Sequence, residues 1–485
     1  MIDFGCLSVP FLDEYITSTN KGSYLTDIEM LCKELGMTLV GEVYWEDGSR
    51  KVQRLRHNFE SLPSSFGSLA YKVIDGTDLK NEPYIRLAGC PAKLLQGHNV
   101  YGSDDIELCL FSIVEAFMLS FPELTACLDW ERATVDYIDV TYSAKCENET
   151  QAQQILDVLR NIDYGQTKVS DSKFKTTVYW NKGSEHRELK CYLKFPELQR
   201  QIQELTRKWS RIKQRDLTAM SGTGLENITQ IRQANNYHTD YIGFQLEQLT
   251  NPDIQQWANG RLRFEARLKS RWLVKNGVPC TLAYFTDPNN TQMLPKRLPQ
   301  LWRKAFANVF GTFEGATMNA NDGEKVYEAL KLAYWSTTPN GNISYAKADR
   351  LHKVYLGIVN AGFKTIKATT NRKTFGRQLQ ELQNVGISRA QLMQFDGNGS
   401  NVVPLIRVLN FDFANQLPTE WQEPLPLSQQ IKHKGLRLAV TALCRNAFYN
   451  TFAGAFCGVL NDETLMRIAV HTADTDLFCS CSLSR

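Results

Sequence analysis

The sequence predicts an α+β fold, a strand-bearing first part followed by a smaller, mainly helical second part. Three observations predict it. Segments 135–142, 187–195 and 261–269 alternate apolar and polar residues with period two, as half-buried strands do. Segments 106–119, 151–161 and 197–215 carry the helical period instead, so strands are separated by helices. Beyond a Pro/Asn-rich stretch the patterns are mostly helical.

In chain order, 106–119 (IELCLFSIVEAFML) and 151–161 (QAQQILDVLRN) read as helices around the first strand, 135–142 (VDYIDVTY). The second strand, 187–195 (RELKCYLKF), leads into 197–215, an amphipathic helix with a basic C-terminal half. After the third strand, 261–269 (RLRFEARLK), residues 285–296 hold Asp287, Pro288, Asn289 and Asn290 and predict a loop. Helices are expected at 324–335 and 345–361, with a pair near 374–394 around Val385 and Gly386. Past Pro424 and Pro426 lies a tail whose helix-like run, 436–460, is interrupted by Arg445; no internal repeat is found.

Composition excludes several classes. The chain of 485 residues is 43% hydrophobic without low-complexity tracts, so it is globular rather than disordered. The start, MIDFGCLSVPFLDEY, shows no secretory signal, and no apolar run is long enough to suggest a membrane span. Twelve cysteines include no CxxC pair, so they read as reduced thiols rather than zinc ligands. No Walker loop, GxGxxG fingerprint or Ser-His-Asp set is present, so no nucleotide cofactor is expected, and the seven histidines include no His-x-His pair. A net charge of +3 argues at first against a polyanionic partner. Its distribution argues otherwise. Residues 103–136 hold eight acids and one base, whereas 261–304 hold ten bases against Glu265 and Asp287. Residues 341–380 add eight bases against Asp349. Local basic surface, not the total, governs phosphate affinity.

The strands carry the chemistry. In 187–195, Leu189, Cys191, Leu193 and Phe195 share the apolar face, leaving Tyr192 between Lys190 and Lys194 on the other. Positive neighbours favour a phenolate, which can attack a phosphodiester; an ordinary exposed strand tyrosine has the same pattern. In 261–269, Leu262, Phe264, Ala266 and Leu268 face the core, opposite Arg261, Arg263, Glu265, Arg267 and Lys269. Those four cations are candidate phosphate contacts. Asp139 and Glu265, on polar faces of neighbouring strands, would suit a hard divalent cation or simply pair with arginines.

Five segments together resemble the gene II replication initiators of filamentous phages: PAKLLQGHNVYGSDD (91–105), LRNIDYGQTK (159–168), LKCYLKFPELQRQIQ (189–203), GRLRFEARLKSRWL (260–273) and NVVPLIRVLNFDF (401–413). The likeness runs in order from Met1 to about Pro424. It implies an antiparallel-sheet-centred catalytic domain of rolling-circle initiator type over 1–300. A basic, mainly helical domain over 301–430 would follow, and the tail 431–485 has no counterpart. The implied activity is nicking of the viral strand of double-stranded replicative-form DNA at the origin. It leaves a 5′-phosphotyrosyl link and a 3′ hydroxyl, and later rejoins the displaced single strand into a circle. The family tyrosine falls on Tyr192, with Lys190 or Lys194 stabilising the phenolate or the phosphorus centre. Mg²⁺ (or Mn²⁺) is the implied cofactor, with Asp139 and Glu265 as candidate ligands and His98 as a third. Implied partners are origin DNA, a host helicase and a host polymerase in the bacterial cytoplasm, with no membrane. A second, internally initiated product would begin near Met318. Two other readings share the sequence: a plasmid-type initiator or relaxase of the same chemistry, and a non-catalytic DNA-binding regulator.

Overall fold

A computed structural model of the chain describes residues 1–19, 22–26, 39–46, 49–57, 60–61, 69–74, 82–170, 174–219, 242–314, 320–395, 413 and 415–434. Met318, nearly all of segment 401–413 and the tail beyond 434 lie outside these residues.

Among the described residues nine strands form one sheet: β1 (Ile2–Pro10), β2 (Glu60–Ser61), β3 (Leu69–Ile74), β4 (Tyr84–Gly89), β5 (Thr134–Lys145), β6 (Val169–Ser170), β7 (Thr177–Trp180), β8 (Arg187–Leu193) and β9 (Arg261–Lys269). Their order is β6-β7-β8-β9-β5-β1-β4-β3-β2, and every neighbouring pair is antiparallel. The three sequence-read strands, β5, β8 and β9, thus lie side by side at its centre. Alternation dictates their faces. Leu262, Phe264, Ala266 and Leu268 are fully buried on one side of β9, and Leu189, Cys191 and Leu193 continue that side on β8.

Helices α1 (Pro91–Gln96), α2 (Ile106–Ser120), α3 (Glu149–Leu159) and α6 (Leu294–Phe310) pack into the core on the apolar side, whereas α4 (Lys194–Ala219) and α5 (Pro252–Ala258) form a smaller cluster with Val100. The Asp105 side chain caps α2 and the Asn148 side chain caps α3, each accepting from a backbone N–H in the first turn. Gly5 in β1 admits α2 closely, since a Cβ there would meet Ile113 at 2.9 Å. Trp302 of α6 donates its indole N–H to the Phe264 carbonyl at 3.0 Å and packs edge-on against Tyr142 at 5.4 Å.

One expectation changes. Residues 285–296 are not a loop: helices Leu282–Thr286 and Pro288–Thr291 lead into α6. The Asp287 side chain accepts from the Asn289 N–H at 2.8 Å, with Pro288 next to it. The Asp-Pro pair that reads as a breaker therefore starts a helix. Residue 300, the expected domain edge, falls inside α6, whose aromatic side chains pack on the sheet. The segment after it is tied back as well. Gln394 contacts Asn161 at 2.9 Å, and Lys367 pairs with Asp163 at 3.3 Å. Gln416 brackets the Ser143 backbone in β5, and Ser428 bonds Glu115 at 2.9 Å. The second part is helical as expected, with helices Gly323–Tyr334, Ala346–Ala361, Arg372–Asn384 and Arg389–Met393. Among the described residues no helix is long and apolar enough to cross a membrane.

Trp302 fills the contact between α6 and three strands. Trp302→Ala is expected to lower stability by about 3–5 kcal/mol, read as a lower urea midpoint with an unchanged slope. A loss under about 1 kcal/mol would show that α6 does not hold the sheet.

Candidate active site

The polar face of β5, β8 and β9 forms the site, and register places its charges opposite one another. Lys190 faces Glu265, Tyr192 faces Arg263, and Arg267 faces Asp139 across adjacent strands. The loop after α1 and the start of α4 close over this face through Asn99 and Lys194. Every expected cation but one meets a carboxylate. Lys190 pairs with Glu265 at 3.1 Å, Lys269 with Glu188 at 2.8 Å, and Lys194 with Glu197 at 2.6 Å. Arg267 grips Asp139 with two bonds of 2.8 and 2.7 Å. Arg263 lies 3.9 Å from Asp3 and donates to the carbonyls of Asn99 and Val100. Arg261 instead donates to the Trp257 carbonyl at 2.7 Å and stacks on that ring.

These contacts correct the picture of an open polar face. Tyr192 is 3% exposed and Arg263 1%, so neither presents itself to solvent. Lys194 is not a strand residue: β8 ends at Leu193 and Lys194 opens α4, itself buried. Asp139, Glu265 and His98 do not gather into a coordination shell. Both oxygens of Asp139 are held by Arg267, and the His98 Nδ1 accepts the Val100 N–H at 3.3 Å. Among the described residues no three His, Cys, Asp or Glu side chains are grouped to hold a metal. The donor set as arranged does not fit Mg²⁺ or Mn²⁺.

Asp3 is the residue that sequence reading missed. In plain alternation it would share a face with Gly5 and Leu7 and point at α2. The pairing of β1 with β5 shifts between Ile2 and Phe4, a bulge that re-aims Asp3 onto the polar face. There its Oδ1 accepts from the Asn99 amide at 3.0 Å, and the Asn99 Oδ1 accepts from Lys194 at 3.0 Å. A continuous network runs from Lys194 through Asn99 and Asp3 to Arg263, which stands opposite Tyr192 across β8 and β9. A carboxylate at position 3 ahead of an apolar strand was the available signal; its register was not.

Electrostatics follow from burial first. Burial pushes the Tyr192 phenol well above its usual range, against the pull of Arg263. The resting nucleophile candidate is therefore a neutral phenol. Burial, with Arg263 beside it, lowers Lys194 to about 8, while Glu197 pulls it back up. Lys190 rises: burial opposes its charge, but Glu265 and Asp3 outweigh it. Its ammonium stands 4.2 Å over the Tyr192 ring, a cation–π contact. His98 is pushed down to about 3 by burial, then by Lys194 and Arg263, so it stays neutral. Asp139 is pushed up to about 6 by burial despite Arg267.

Removing the Asp3 charge leaves Arg263 buried without its carboxylate. Asp3→Asn is expected to cost about 3–5 kcal/mol in urea unfolding. An unchanged midpoint would mean that the two main-chain carbonyls suffice for Arg263.

Comparison with known proteins shows what the chain resembles. A family profile for the N-terminal part of the replication-associated gene II protein matches residues 1–287, and one for its C-terminal part matches 337–426. The replication-associated gene II protein of Salmonella phage IKe is 38% identical over 438 residues, 88% of this chain and 97% of that protein. The proteins of the same name from Enterobacteria phages M13 and f1 are each 37% identical over 435 residues, 88% of this chain and 99% of theirs.

Proposed function

We propose a nicking and joining function for this chain, which belongs to the gene II family of filamentous-phage replication-associated proteins. In this reading it initiates replication by cutting the viral strand of replicative-form DNA at the phage origin. One observation carries the reading: a tyrosine on a central strand, set opposite Arg263 of the neighbouring strand and overlaid by the Lys190 ammonium. The phenolic oxygen attacks the scissile phosphorus, and the bond from phosphorus to the 3′ oxygen breaks. The phenol proton leaves to solvent and the 3′ oxygen takes one up. The products are a phosphotyrosyl ester on the 5′ phosphate and a 3′ hydroxyl, the primer end for a host polymerase working with a host helicase. The ester retains the energy of the broken bond, so rejoining the displaced strand into a circle needs no nucleotide cofactor.

Each residue has a role in that step. Arg263 offsets the burial that opposes a phenolate, and Asp3 with Asn99 fixes Arg263 in place. Lys190, 28% exposed in its side chain, lies at the outer edge of the site. A phosphate arriving there exchanges with Glu265 for the Lys190 ammonium and comes to lie beside the phenol. Cations already in the site stabilise charge on the phosphorus centre. No step is assigned to Mg²⁺ or Mn²⁺, because the carboxylates expected to bind them are engaged by cations. The work belongs to the host cytoplasm, where the replicative form and the host enzymes are.

Supercoiled origin DNA incubated with the protein should yield a nicked form with protein on its 5′ end. Tyr192→Phe is expected to reduce nicking and linkage by about 10³-fold or more. If that variant links DNA as well as the parent, Tyr192 is not the nucleophile; binding without cleavage by the parent would identify a regulator. Because the resting phenol is neutral, single-turnover cleavage should rise about tenfold per pH unit below the ordinary tyrosine range of about 10. A rate flat from neutral pH upward would show that the phenolate is already formed.

A further inference from the structure

The cations of the polar face are largely spent on carboxylates within the protein, so phosphate affinity must come from elsewhere. At the far end of β8 lies a cleft of about 640 Å³ that has the opposite character. Lys182 enters it from the turn joining β7 to β8, Arg187 from the first position of β8, Lys275 from the helix Ser270–Lys275, and Lys304 from α6. His186 and Asn181 complete the polar lining, and no Asp or Glu lines it. Among the described residues none of these four cations forms an ion pair.

The local structure fixes the arrangement. Asn181 at φ 53° and Gly183 at φ 82° turn the chain so that Lys182 projects from it. Arg187 donates its Nε–H to the Ala305 carbonyl at 3.2 Å, which holds the guanidinium while its other nitrogens remain for a ligand. Burial lowers Arg187 with no carboxylate to raise it. Gathering like charges without counter-charges opposes folding, and an anion that spans several of them relieves the repulsion. Three chain segments far apart in sequence supply the four, so the cleft exists only in the folded chain.

We propose that this cleft holds the phosphate backbone of duplex DNA flanking the nick. The proposal rests on the nicking reading, which places DNA at Tyr192. Arg187 and Tyr192 are five residues apart on β8, about 17 Å at roughly 3.4 Å per residue, and alternation puts Arg187 on the Leu189 and Cys191 side of the strand, opposite Tyr192. DNA held at Tyr192 reaches the cleft by passing round that end of the sheet, so the cleft takes backbone flanking the cut rather than the cut itself. The cleft supplies affinity and the polar face supplies chemistry.

The test uses the full chain carrying Tyr192→Phe, so that binding is read without cleavage, and origin duplex between about 0.05 and 0.2 M NaCl. Adding Lys182→Gln, Lys275→Gln and Lys304→Gln should weaken duplex binding at least about tenfold and flatten the logarithmic salt slope by about 2.7. The three corresponding Lys→Arg changes should restore both. An unchanged slope, an equal loss in the arginine variant, or a loss confined to single-stranded DNA would overturn the proposal. Should Tyr192→Phe still cleave, the nucleophile reading alone falls, because the salt slope continues to report on the cleft.

Discussion

Arg263 has to be satisfied at the centre of a sheet, and much of the site follows from that need. A guanidinium buried without partners is costly, so the chain brings it two main-chain carbonyls and a carboxylate. The carbonyls require the loop through Asn99 and Val100 to close over β9. The carboxylate requires β1 to bulge, since only a break in alternation turns Asp3 to that face. The same loop brings Asn99 to Lys194, which fixes where β8 gives way to α4. Strand register, loop path and helix start are thus set by one buried charge and its hydrogen bonds.

Charge within the fold is divided between two kinds of place. On the polar face, cross-strand pairs leave almost no excess, a sound arrangement for a site low in water where an unpaired ion would be expensive. Such a site orients and stabilises reacting groups but attracts DNA weakly from a distance. The cleft near Lys182 and Lys304 has uncompensated charge in solvent, where it costs less and acts over a Debye length. The basic runs in the sequence therefore contain two populations: cations consumed by folding and cations left over for a polyanion.

Much of the fold was legible because period-two alternation is a local property. The apolar sets of β5, β8 and β9 were readable residue by residue, as were Tyr192 between two lysines and the helices of the second part. Helix entry at Asp287-Pro288 was legible in principle, since capping chemistry uses the residues that also break helices. Exposure was not legible. Alternation shows that Tyr192 and Arg263 leave the apolar face; it cannot show that a loop distant in the chain, through Asn99 and Val100, covers them.

By itself the sequence determined which residues share a strand face, where helices recur, and the ordered motifs that resemble the phage initiators. Each rests on spacing along the chain. Only the tertiary structure decided which charges neutralise which, because opposition across strands depends on register, and one bulge in β1 changes the partner of Arg263. It also decided which cations stay unpaired, because the cleft draws on a turn, a short helix and α6, which are neighbours only once the sheet has closed beneath them.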